Sequence, residues 1–149
     1  MTTERLITIS PNIDDYLGKN FSCKCGVDHK VAIKKAIIEK GALEKIPKTL
    51  ADLGIKKVLL VADTNTYDVA GKSVEDILKK AHLPYTKHVF QRPGDLVPDE
   101  LAIGEVITKV DTDTDAIMAV GSGTLNDLAK YVAFRLDIPS LIVATAPSM

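Results

Sequence analysis

Gly121-Ser122-Gly123-Thr124 is the part of the chain whose residue types and spacing could do chemistry. Glycine lets a backbone turn sharply and lets amide N–H groups approach an anion with no Cβ in the way. Leu125, Leu128, Ala129, Val132, Ala133 and Leu136 then fall three and four residues apart, so the spacing predicts an amphipathic helix starting at the glycines. The first turn of a helix has unpaired N–H groups and the positive end of the dipole, which together stabilise a phosphate or a pyrophosphate. Thr124 and Asp127 have the spacing of a capping box. A carboxylate in that role uses up part of the positive potential and suits a ligand hydroxyl or a water better than a bare phosphate. Gly-Ser-Gly also closes ordinary strand-to-helix turns, and Asn126 stands where the full dinucleotide fingerprint has its third glycine.

Two other groups invite a chemical reading. Asp63 closes the apolar run Lys57 to Ala62; an acid at a strand end accepts hydrogen bonds from a ribose diol or caps the helix that follows, and both readings stand. Cys23, Cys25 and His29 offer three potential zinc ligands, but structural zinc takes four and no fourth Cys or His lies nearby. The expectation there is a turn with reduced thiols and no metal. His82 follows the helix end at Lys79-Lys80-Ala81, where a cation suits the dipole, and is read as helix-terminal rather than catalytic.

The elements that must position these residues alternate. Ala116 to Val120 is an apolar run too short for a helix, and Leu141 to Ala144 is a second, so strand, glycine turn, helix and strand form a βαβ unit. Upstream, the pattern gives a helix over 42–53 stopped by Gly54, a strand over 57–62, a helix through Ala81, a strand over 86–90, a loop over 91–97 and a helix from Pro98 to about Val110. Residues 30–39 fit strand and helix equally. Residues 1–29 show little periodicity and several turn formers, and are expected to be an irregular extension preceding a dinucleotide-binding domain over 30–149. The fold class is therefore α/β, a doubly wound, mainly parallel, Rossmann-like sheet with helices on both faces. Ligands of such sheets sit beyond the carboxyl ends of the strands, where Asp63, the glycine turn and the segment from Thr145 all lie. The last strand has no covering helix after it, as expected of a piece of something longer.

Composition narrows the class. A length of 149 residues, 46% hydrophobic and 26% charged, fits one globular domain with a small appendage. A net charge of −1 gives no electrostatic footprint for nucleic acid or an anionic membrane, so neither is an expected partner. No apolar run approaches a membrane span, and MTTERLITIS lacks the apolar core of a signal peptide, so a cytoplasmic protein is expected.

Taken in order, Asp63, Asn65, Thr66, Tyr67, Val69, Ala70 and Gly71, then Gly121 to Asp127, then Ala144 to Met149 resemble the cofactor domain of the glycerol-1-phosphate dehydrogenases. The likeness is to the bacterial arabinose-operon type, which also carries an element like Cys23 to His29. This family belongs to the dehydroquinate synthase and iron-dependent alcohol dehydrogenase superfamily. The resemblance implies NAD or NADP as cofactor, with Asp63 on the adenosine ribose and Gly121, Ser122, Gly123, Thr124 and Asp127 around the pyrophosphate. It places Thr145 and Ser148 on the nicotinamide side. Ser122 replaces the middle glycine that the family usually has. The resemblance also implies a divalent metal, nickel or zinc, held by an Asp and two His in a C-terminal domain outside this chain; none of His29, His82 or His88 matches a ligand position.

The reaction so implied is reversible reduction of dihydroxyacetone phosphate to sn-glycerol 1-phosphate, a small-molecule phosphate substrate, with this chain inactive alone and no catalytic residue in it. An acid at 63 repels the extra phosphate of NADP and favours NAD, unless Lys72 or Asn65 offsets it. A glycerol dehydrogenase or dehydroquinate-synthase-like enzyme, or a non-catalytic nucleotide-binding module, are the alternatives. Apolar surface that a further domain would cover favours association, a homodimer among the outcomes.

Overall fold

A computed structural model describes residues 12–22, 25–92 and 94–146. The chain divides into two compact units, Met1–Ala42 and Leu43–Met149. In the first, β1 (Asn20–Ser22) and β2 (Asp28–Lys30) pair antiparallel with Phe21 opposite His29. The irregular extension expected over 1–29 is thus corrected to include a hairpin. Its strands have three residues each and are exposed throughout, so they leave no periodic apolar signal to read. The hairpin tip brings Cys25 Sγ within 3.3 Å of His29 Nε2, while Phe21 packs on the His29 ring at 5.3 Å between centroids. Cys23 lies outside the described residues. Residues 31–39 form neither strand nor helix, and the unit boundary falls at Ala42/Leu43 rather than at 29/30.

The second unit is built on four parallel strands: β3 (Val58–Asp63), β4 (Tyr85–Phe90), β5 (Ala116–Gly121) and β6 (Ser140–Ala144), in the order β4-β3-β5-β6. Alternate residues of the strands serve opposite faces. On one face Leu59, Val61, Ile117 and Ala119 meet Ala102 and Val106 of α4 (Glu100–Ile107), with Leu125, Leu128 and Val132 of α5 (Gly123–Leu136). On the other, Leu60, Ala62, Met118 and Val120 meet Leu50 of α1 (Ile46–Asp52) and Val74 and Leu78 of α3 (Lys72–Lys80). Helices thus cover both faces of a parallel sheet, as the alternation of periods requires. Each fully buried aliphatic side chain in these layers contributes roughly 1.5–3 kcal/mol.

The helix expected over 42–53 is shorter than its pattern. Ala42–Lys45 is a 3-10 turn, and α1 begins at Ile46 with Pro47 in its first turn, because proline lacks the N–H that a helix interior needs. After β3, a single turn α2 (Thr64–Thr66) and a π turn (Tyr67–Gly71) run on into α3. This stretch is pinned by Glu75, 6% exposed, whose carboxylate accepts hydrogen bonds from the Tyr67 hydroxyl, from the Tyr85 hydroxyl at 2.7 Å and from Lys87 Nζ at 2.7 Å. Lys79 Nζ lies 2.8 Å away. Burial alone would raise the pKa of Glu75, but the hydrogen bonds from Lys79, Lys87 and the two tyrosines outweigh it and hold the carboxyl well below the usual range.

A carboxylate with a depressed folded pKa stabilises the fold above its unfolded pKa and loses that contribution as pH falls towards its folded one. Acid titration followed by circular dichroism should therefore show a loss of stability setting in below about pH 4.5. Glu75→Gln, which leaves two lysines and two tyrosines without their anion, should cost about 3 kcal/mol in denaturant unfolding at pH 7 and flatten that acid limb.

Candidate functional site

The site starts from a close contact at the end of β5. Gly121 is buried, and a Cβ built on it would collide with Leu125 Cδ1 and lie 2.9 Å from Leu125 Cβ. Only a residue without a side chain lets Leu125 fold back over the strand end, and this draws the start of α5 directly against the sheet. The Ser122 carbonyl accepts the Asn126 N–H at 3.0 Å, so Ser122 is the N-cap, with an extended backbone (φ −115°, ψ −153°) and no side-chain capping bond. The capping box expected from Thr124 and Asp127 is corrected on this point. Helix geometry begins at Gly123, two residues before that box requires, which puts Thr124 within the first turn and Asp127 beyond it, exposed.

The consequence is electrostatic. No acidic residue lies in the first turn of α5, and no side chain caps its N–H groups among the described residues. Fourteen residues of helix thus present their positive end uncompensated. Gly123 opens outward: a Cβ there would meet nothing within 4 Å. The turn is therefore tight on the side of Gly121 and vacant on the side of Gly123, and the vacant side is where an anion can reach the amides.

Asp63 stands at the neighbouring strand end. Its backbone is extended, Oδ1 accepts the Thr66 N–H at 2.8 Å, and the Thr66 hydroxyl meets the Asp63 N–H at 3.1 Å, so Asp63 does cap α2. The half-buried carboxylate keeps its second oxygen for another donor. β3 and β5 are adjacent, and their connections leave to opposite faces, α3 below and α5 above, so the crevice between Asp63 and Gly121 is the switch point of a doubly wound sheet. Thr145 N–H donates to the Gly121 carbonyl at 3.0 Å, which brings the segment after β6 to the same edge. Ser148 lies outside the described residues.

A cavity of about 450 Å³ continues from Asp63 towards β4, lined by Asn65, Phe90, Arg92, Asp95 and Leu96 among others. Arg92 Nη2 donates to Glu105 Oε1 at 2.5 Å and Nη1 to Asp99 Oδ1 at 3.4 Å, and its guanidinium lies over the Phe90 ring at 5.5 Å. The sequence pattern gave no hint of Arg92, because the partner that holds it lies thirteen residues away on another element. Lys72 pairs instead with Asp68 at 2.7 Å. A second cavity, of about 590 Å³, lies over Tyr67, Asp68 and Lys87, away from the glycine turn. Among the described residues no group of three His, Cys, Asp or Glu is placed to hold a metal.

A parallel doubly wound sheet with a glycine-opened helix start at its switch point defines a Rossmann-like fold. The likeness to solved structures agrees at the level of fold: glycerol dehydrogenase from Schizosaccharomyces pombe matches 68% of this chain with a TM-score of 0.58 at 24% identity, covering 26% of that chain. Maleylacetate reductase from Agrobacterium tumefaciens matches 74% with a TM-score of 0.55 at 16% identity, covering 30% of that chain. Residues 37–149 match the family model for iron-containing alcohol dehydrogenases, and the chain belongs to that family. Among relatives, the glycerol-1-phosphate dehydrogenase [NAD(P)+] of Halalkalibacterium halodurans is 31% identical over 130 residues, 85% of this chain and 33% of the relative. The enzyme of the same name from Geobacillus thermodenitrificans is 29% identical over 143 residues, 95% of this chain and 35% of the relative. The chain thus spans about a third of the length of the curated relatives it matches.

Gly121→Ala should lower stability by about 1–3 kcal/mol in urea unfolding, since the added methyl must displace Leu125 from the core. A melting temperature equal to that of the unsubstituted chain would show that Leu125 does not pack on the turn.

Proposed function

We propose that this chain is the dinucleotide-binding part of a glycerol-1-phosphate dehydrogenase, taking NAD(H) or NADP(H). The observation that carries the reading is the uncapped start of α5 at Gly123, open to solvent and set beside Asp63 at the switch point. The amides of Gly123 and Thr124 take the pyrophosphate, with the Ser122 and Thr124 hydroxyls as further donors and Asp127 outside the first turn beside them. The free oxygen of Asp63 accepts from the adenosine ribose. Thr145, tied to the Gly121 carbonyl, and Ser148 serve the nicotinamide side. The names of the relatives support the substrate class: a phosphorylated three-carbon ketone, dihydroxyacetone phosphate, reduced to sn-glycerol 1-phosphate.

The dinucleotide, when bound, supplies the hydride. The residues of this chain bind and orient it: the helix start fixes the diphosphate, and Asp63 fixes the ribose. No catalytic residue is assigned to the chain, and the metal of the family has no ligand set among its described residues. In this reading the part played by the chain is to bind and orient the cofactor.

Fluorescence titration of NADH tests this directly. Binding should be saturable and competed by ADP-ribose. Gly123→Ala, which puts a methyl into the open cradle at no steric cost to the fold, should weaken it about tenfold or more, the scale of lost hydrogen bonds to a charged group. An NADH spectrum that stays unchanged at millimolar concentration would refute the reading.

A further inference from the structure

Building on the dinucleotide reading, we propose that Glu105 is a positioning residue that selects the dinucleotide with a free 2′-hydroxyl, by holding and neutralising Arg92 beside the Asp63 pocket. Arg92 is the one cation lining that pocket among the described residues, and a guanidinium is the side chain best shaped to take an extra ribose phosphate through paired N–H donors. Here one donor on each terminal nitrogen is engaged. Nη2 is held by Glu105 at 2.5 Å, Nη1 faces Asp99 at 3.4 Å, and the plane rests against Phe90. Asp99 is itself fixed as the N-cap of α4, accepting the Ala102 N–H at 2.8 Å.

The charge balance follows. Asp63 and Asp95 line the pocket, and Asp99 and Glu105 flank the guanidinium, so four carboxylates face one cation. Glu105 stays ionised, because Arg92 donating to it holds its carboxyl below the usual range against the opposing effect of burial. His88 Nε2 is 3.2 Å from the other Glu105 oxygen, without the alignment of a hydrogen bond. Burial holds that imidazole below its ordinary pKa, although Glu105 pulls the other way, so it adds no charge at neutral pH. A 2′-phosphate entering this pocket meets net negative charge and a guanidinium whose two terminal nitrogens already face carboxylates; a 2′-hydroxyl meets an acceptor in Asp63.

Calorimetric titration of the 149-residue chain with NADH and with NADPH at low ionic strength tests the proposal. The unsubstituted chain should bind NADH more tightly by about tenfold or more, the scale on which one nearby like charge acts. Glu105→Gln should tighten NADPH binding and shrink the ratio by about tenfold. Glu105→Asp, which keeps the charge, should restore the preference, and adding Arg92→Gln to Glu105→Gln should abolish the gain. Equal affinity of the unsubstituted chain for both dinucleotides, or a ratio unmoved in Glu105→Gln, overturns this inference and leaves the dinucleotide site standing. Binding of neither overturns both.

Discussion

The approach of Leu125 to the backbone of Gly121 governs the rest of the structure. That contact turns the chain from the end of β5 into α5 within two residues and aims the helix start along the carboxyl edge of the sheet. Were the turn wider, the amides of the first helical turn would point past the crevice, and the macrodipole falls off within about one turn. Packing thus sets the electrostatics: a core leucine, buried with Leu128 and Val132, decides where a partial positive charge is delivered.

The two walls of the crevice then divide the work by sign. On the β5 side stand amide groups and hydroxyls without a carboxylate in the first helical turn. On the β3 and β4 side stand Asp63, Asp95 and an arginine enclosed by Asp99 and Glu105. An elongated ligand with a negative middle and a hydroxyl-rich end matches that division. The larger cavity over Tyr67 and Lys87 has no such polarity, since Lys87 is drawn into the Glu75 network and serves the fold.

Much of this was legible in the chain itself, because strands buried on both faces and amphipathic helices leave long apolar patterns. Val58 to Ala62 and Ala116 to Val120 are buried throughout, and read as such. Asp63 at a strand end and the glycines at 121 and 123 stood out because they interrupt those patterns. What failed to show depends on contacts between distant residues. Thr124 and Asp127 have a capping spacing, but spacing does not tell where the helix starts, and the Gly121–Leu125 contact starts it earlier. The hairpin at Asn20–Ser22 buries nothing and so imposes no pattern. Glu75 with Tyr85 and Lys87, and Glu105 with Arg92, are pairs across elements, which local propensity cannot see.

β6 is an edge strand of the four, and its residues alternate between exposed and half-buried while β5 beside it is fully buried. Yet the Thr145 amide that bonds the Gly121 carbonyl is carried by the chain leaving β6. Strands of this kind open locally well below the temperature of global melting. Opening of β6 therefore releases the Gly121 carbonyl from Thr145 while the packing of Leu125 on Gly121 keeps the other side of the same turn in place.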